Sequence, residues 1–143
     1  MDPATRQVVK VTDDAGQPNG LCFSPDYQQL YVADTGAARD LRVYDVDGAA
    51  LRSGRRFMLL DVPGTEAPTF ADGIRCDADG NLWCGSNPGV QIIAASGEPI
   101  GMIRLPETCA NVCFGGQRRN RLFMAASQSL YAVFVNTAGA HIA

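Results

Sequence analysis

Asn19-Gly-Leu-Cys-Phe23, Asp72-Gly-Ile-Arg-Cys76 and Ala110-Asn-Val-Cys-Phe114 each lead through a polar turn into a second apolar run: Leu30-Tyr-Val-Ala33, Leu82-Trp-Cys-Gly85 and Leu122-Phe-Met-Ala125. The leucines that open the second runs stand 52 residues apart (Leu30 to Leu82) and then 40 apart (Leu82 to Leu122). That interval is near the period of four-stranded propeller blades, in which each repeat is one small antiparallel sheet. An all-β fold is therefore expected.

Turn dipeptides divide each repeat further. The first reads as strands over 20–24, 29–33, 41–45 and 56–62, with Pro25-Asp26 and Asp47-Gly48 as turns; the second as 73–77, 81–85, 90–94 and 100–105, with Ala78-Asp-Gly80 and Ser96-Gly97 between them. The third supplies three, over 111–114, 121–125 and 129–135. A spare apolar run over 7–12 precedes the first repeat and is expected to complete the last blade, of this chain or of a partner, because an open sheet edge invites pairing. Residues 1–143 thus read as a single propeller-type domain of about three four-stranded blades. Three blades are too few to close a ring, since propellers have about four to eight. The expectation is half of a six-bladed propeller, completed by a second copy about a two-fold axis or by a complementary half.

Composition narrows the function. A net charge of -3 offers no basic surface for nucleic acid. No apolar run approaches the roughly 18 residues that span a bilayer, and the first residues lack the apolar core of a signal peptide, so a cytoplasmic protein is expected. Five cysteines fall mostly on strand positions and read as reduced, buried thiols, with no paired spacing for zinc. The single histidine, His141, stands two residues from the end, where fraying is expected and a histidine-based nucleophilic triad is not.

The first residues of the innermost strands would converge at one mouth of a propeller channel. They are Asn19, Asp72 and, at or beside the equivalent place, Asn111. Amide and carboxylate oxygens suit hard cations such as Ca²⁺, Mg²⁺ or Mn²⁺. Asn-Gly and Asp-Gly are equally the ordinary dipeptides of turns, and spacing alone leaves both readings open. Tyr31, Trp83 and Phe123 share one repeat position and read as packing between blades. Asp34-Thr-Gly36 and the basic run Arg118-Arg119-Asn120-Arg121 read as turns.

Pro18-Asn-Gly-Leu-Cys-Phe-Ser-Pro-Asp26, Leu30-Tyr-Val-Ala-Asp-Thr35, Asp72-Gly-Ile-Arg-Cys-Asp-Ala-Asp-Gly-Asn-Leu-Trp83 and Cys109-Ala-Asn-Val-Cys-Phe-Gly-Gly116 together resemble the gluconolactonase family, also called SMP-30 or regucalcin-like. The resemblance runs from about residue 8 to Asn136. It implies a six-bladed propeller that holds one divalent cation, Ca²⁺ first and Zn²⁺, Mg²⁺ or Mn²⁺ otherwise, and hydrolyses sugar lactones or related esters. Carried over by position, it makes Asn19 and Asp72 metal ligands, Asp72 also the catalytic acid/base, and Asn111 a supporting, substrate-binding residue. The family pattern includes an earlier glutamate ligand that this sequence does not present; its glutamates, Glu66, Glu98 and Glu107, fall between strands. A homodimer is expected to repair the deficit by bringing two copies of Asn19 and Asp72 to one channel. The alternative is a non-catalytic propeller scaffold or a half-enzyme that needs a partner.

Overall fold

The computed structural model describes residues 4, 6–60 and 69–141, and each repeat in it is an antiparallel meander. The first sheet has the order β1 (Pro18–Phe23), β2 (Gln29–Asp34), β3 (Asp40–Asp47) and β4 (Ala50–Leu59); the second runs β5 (Ile74–Cys76), β6 (Leu82–Ser86), β7 (Gly89–Ile93) and β8 (Pro99–Arg104). The third comprises β9 (Cys109–Gly115), β10 (Arg121–Ala126) and β11 (Leu130–Phe134). The described residues contain no helix. Phe23 pairs with Leu30, Cys76 with Leu82 and Phe114 with Leu122, so the three repeats correspond residue for residue in register.

Alternation puts one face of every strand into an interface between sheets. Tyr31, Leu41, Val43, Ile74, Leu82 and Ile93 fill the space between the first and second sheets. Trp83, Val90, Val112, Leu122 and Met124 do the same between the second and third. The shared aromatic position supplies edge-on ring contacts at both interfaces, Tyr31 to Phe57 (5.0 Å) and Trp83 to Phe114 (5.5 Å). All five cysteines are free thiols. Burial pushes Cys76 and Cys84 up to about 12, which keeps them protonated and unreactive.

Two expectations are corrected, and the strand over 7–12 is not formed within this chain, which leaves its pairing with a partner as an expectation. β4 begins six residues earlier than 56, because β3 and β4 are extended into a ribbon by arginine–aspartate pairs: Arg52 with Asp47 (2.5 Å), Arg55 with Asp45 (3.1 Å) and Arg56 with Asp40 (2.9 Å). The last positions of the expected strand, 61 and 62, lie outside the described residues. Residues 7–12 form no strand in this chain, and Val8 and Val9 are 79% and 74% exposed. An extended segment is held as a strand by its ladder partner, and among the described residues β11 is the third sheet's unpaired edge.

The second correction concerns the C-terminal end. His141 does not fray; its Nε2 lies 2.9 Å from the Ser24 carbonyl and its ring packs 4.1 Å from that of Tyr27. The backbone before it is tied down as well, with Ala78 N donating to Ala138 O (2.8 Å) and Ala140 N to Cys76 O (3.0 Å). Arg119 Nη1 donates to Ala140 O at 3.2 Å. This tail therefore straps all three sheets together at the end of the inner strands away from Asn19 and Asp72.

Candidate functional site

The inner strands β1, β5 and β9 lie side by side. Asp72 lies two residues before the start of β5, and its backbone is held from both sides. Asp72 N donates to Gly85 O (3.0 Å), Gly85 N to Gly73 O (2.9 Å) and Gly73 N to Ala110 O (2.9 Å). Asn19, on β1, and the Gly73 backbone both act on the Asp72 carboxylate in the direction that favours its ionised form. Asn111, on β9, rests against Gly73 on the other side. All three residues named from the sequence are therefore brought to one end of the inner strands.

Glycine makes this convergence possible. A methyl group on Gly20 would meet the Asp72 carbonyl oxygen and lie 2.7 Å from the Gly73 Cα; one on Gly73 would strike the Asn111 side chain and lie 2.8 Å from the Asn111 Cα. Neither glycine has a positive φ, so neither is needed for a turn. Both are needed for close approach of neighbouring backbones. Gly73→Ala should cost about 1–3 kcal/mol through overpacking, measured by denaturant unfolding. Unchanged stability would show that β5 and β9 do not meet there.

The site's electrostatics centre on Asp72. Burial pushes its carboxyl above the ordinary carboxylate value, against the opposing hydrogen bonds from Asn19 and Gly73. Asn19 and Asn111 are exposed and Asp72 is half-buried, so the site opens to solvent. The Asn111 Oδ1 accepts the Val112 N–H at 2.9 Å, and its amide nitrogen carries two donors. In kind, the amide oxygen of Asn19 and the carboxylate of Asp72 are hard donors that fit a divalent cation. Among the described residues no group of three His, Cys, Asp or Glu residues forms a self-sufficient metal centre.

The glutamates add nothing to it. Glu107 accepts from Gln128 N (2.7 Å) and Tyr131 Oη (2.8 Å), tying together loops of its own sheet, and hydrogen bonds from Ser129, Tyr131 and Gln128 hold its carboxyl below the ordinary range. Glu98 lies in the β7–β8 turn, at the other end of its sheet from Asp72, and Glu66 lies outside the described residues. Asp34 serves its turn, accepting N–H groups of Gly16 (2.6 Å), Gln17 (3.0 Å) and Gly36 (2.8 Å). In the basic run, Arg121 covers the Phe123 and Phe134 rings and Arg119 anchors the tail. Two residues escaped the sequence reading. Asp77 is a buried hydrogen-bond centre, signalled by the Asp-Ala-Asp-Gly-Asn turn that it opens, and Arg75 stands on an inner strand at the repeat position where Cys22 and Cys113 stand.

Comparison with known proteins fits this arrangement. The profile of the SMP-30/Gluconolactonase/LRE-like region matches residues 1–128. A gluconolactonase of Zymomonas mobilis is 32% identical over 86% of this chain and 36% of its own length. The structure of a gluconolactonase from Xanthomonas campestris superposes with a TM-score of 0.74 at 34% identity, over 85% of this chain and 38% of that one. Regucalcin from Agrobacterium tumefaciens, described as a calcium-binding protein, superposes with a TM-score of 0.72 at 26% identity, over 85% of this chain and 42% of the other. The chain spans about a third of the length of the curated relatives it matches. On the family match over residues 1–128, the chain belongs to the SMP-30/gluconolactonase/LRE-like family.

Proposed function

We propose that the assembled protein is a metal-dependent hydrolase of sugar lactones, with Asn19 and Asp72 holding the cation, Asp72 moving the proton and Asn111 contacting substrate. One observation carries the reading: Asn19, Asp72 and Asn111 stand together at one end of three neighbouring inner strands, in a chain whose relatives include gluconolactonases. Ca²⁺ is the first candidate because a structural relative is a calcium-binding protein. When bound, the cation would supply Lewis-acid polarisation of the lactone carbonyl.

The chain's own residues would do the rest. Asp72 takes a proton from the attacking water and returns it to the ring oxygen as the ring opens. Asn19, beside it, favours the ionised carboxylate. The Asn111 amide nitrogen offers a donor to a substrate hydroxyl.

In this reading the active form is six-bladed, made by a second copy or by a complementary half. The unpaired edge of β11, with Leu130 and Phe134 each 71% exposed, is the surface at which residues 7–12 would add a strand. Light scattering should then give twice 15.2 kDa for a homodimer. Titration with Ca²⁺, and in turn Zn²⁺, Mg²⁺ and Mn²⁺, is the direct test. A cation that binds the folded state adds about 2.7 kcal/mol at 100 times its Kd, and Asn19→Ala should weaken that gain. A melting temperature unmoved by all four ions, with no ring opening of gluconolactone, would reject the proposal.

A further inference from the structure

Arg75 is the odd residue of the inner strands. It faces Trp83 across the β5–β6 pair, as Cys22 faces Tyr31 and Cys113 faces Phe123, so a guanidinium occupies a place that two other repeats give to a small thiol. It is half-buried, and its guanidinium donates to the carbonyl of its own neighbour, Ile74, at 2.7 Å. Among the described residues it forms no ion pair, whereas Arg42, Arg52, Arg55 and Arg56 of the first sheet each hold an aspartate. A charge withdrawn from water without a counter-charge is costly unless something supplies one.

The surroundings show where a counter-charge would come from. Arg75 lines a cavity of about 380 Å³ with Leu21, Phe23 and Phe114, and a second of about 150 Å³ with Asn111. The first is bounded at the far end by Gly139 and His141 of the C-terminal strap. Along the strand, Arg75 lies three residues beyond Asp72, roughly 10 Å at 3.3 Å per residue. Asn111 lines the smaller cavity with Arg75 and stands against Gly73, so Arg75 lies between the Asp72 end of the inner strands and the strap.

We infer that Arg75 is a specificity-determining residue that takes an anionic group, carboxylate or phosphate, carried by the substrate on the end remote from the reacting carbonyl. The inference rests on the lactonase reading only for which end of the substrate is remote. If the lactone carbonyl is at Asp72, the carboxylate produced by ring opening forms there, not at Arg75. The group that Arg75 receives must therefore be a second anion, already present in the substrate. Sugar lactones bearing a terminal carboxylate or phosphate have that form, and a guanidinium fork matches both oxyanions bidentately.

Two measurements test this. In chelator, without any cation, the melting temperature of the full chain is followed with glucarate, with 6-phosphogluconate and with uncharged sorbitol at equal concentration. The two anions should raise it and sorbitol should not, with the larger shift identifying carboxylate or phosphate as the favoured group. Arg75→Gln should weaken anion binding about 10- to 100-fold, with Arg75→Lys recovering part of it. Equal shifts for anions and sorbitol, or an Arg75→Gln protein that responds like the unaltered chain, would overturn the inference. With cation present, the ratio of kcat/KM for a carboxylate- or phosphate-bearing lactone over gluconolactone should fall 10- to 100-fold in Arg75→Gln, chiefly through KM. An unchanged ratio would likewise overturn it. If no lactone is opened while the Arg75-dependent shift persists, the lactonase reading fails and the anion site stands.

Discussion

Asp77→Ala should remove about 3–5 kcal/mol of folding stability, a large share of the roughly 5–15 kcal/mol that a domain possesses. The Asp77 side chain is fully buried at the far end of β5. Its Oδ1 accepts the N–H groups of Asp79 (3.0 Å) and Asn81 (2.9 Å), and its Oδ2 accepts Asn81 Nδ2 (3.0 Å) and the indole N–H of Trp83 (2.9 Å). Four donors, rather than a cation, hold this carboxylate. Alanine would strand all four, and the Trp83 N–H lies in the core between the second and third sheets, where water cannot replace the lost acceptor. The strap would loosen too, since Asp77 bridges Gly139. Asp77→Asn keeps one oxygen but turns an amide toward two donors, so about half of the loss should remain. Because Trp83 is the only tryptophan, its fluorescence reports the transition directly in a denaturant titration. A loss under about 1 kcal/mol for Asp77→Ala would mean that the network is solvated rather than buried.

The same network shows what the sequence could and could not reveal. Strand pairs of the inner type were legible, because period-2 apolar runs flanked by Pro-Asp or Asp-Gly turns leave few registers that bury one face. The pairing of Phe23 with Leu30, and its two counterparts, follows from that alone. β4 was misplaced because its stability comes from cross-strand arginine–aspartate pairs rather than from apolar alternation, and its sequence, Ala-Leu-Arg-Ser-Gly-Arg-Arg, has no hydrophobic period to read. Residues 7–12 have the composition of a strand, but only a partner edge makes one. At the site, Asn19-Gly20 and Asp72-Gly73 gave a signal with two meanings. Their glycines turn out to serve the contact between β1, β5 and β9, which depends on three segments far apart in the chain. Arg75 was hidden for the same reason: its lack of an ion pair is visible only once the neighbouring strands are in place.

Asp72→Asn should lower lactone hydrolysis by about 10²–10⁴-fold, the usual contribution of a positioned acid/base, and should at the same time stabilise the cation-free protein at neutral pH. The second effect follows from the direction of the Asp72 shift. Burial raises its folded-state value above the 3.8 of the unfolded chain. Below pH 3.8 the carboxyl is protonated in both states and costs nothing. As pH rises from there through the folded value, the unfolded chain ionises first, and the native state is progressively penalised until the cost levels off above it. Asparagine keeps the shape and the contact with Asn19 but never ionises. The melting temperature of Asp72→Asn should therefore match that of the unaltered chain near pH 3.5 and exceed it by about 1–3 °C at pH 7, a small gap because the carboxyl is only partly withdrawn from solvent. Adding Ca²⁺ should reverse the order, because the carboxylate that burdens the empty site is the one that holds the ion. An Asp72→Asn protein that is less stable than its parent at pH 7 without cation, or that still opens lactones at the parental rate, would remove Asp72 from the centre of the site.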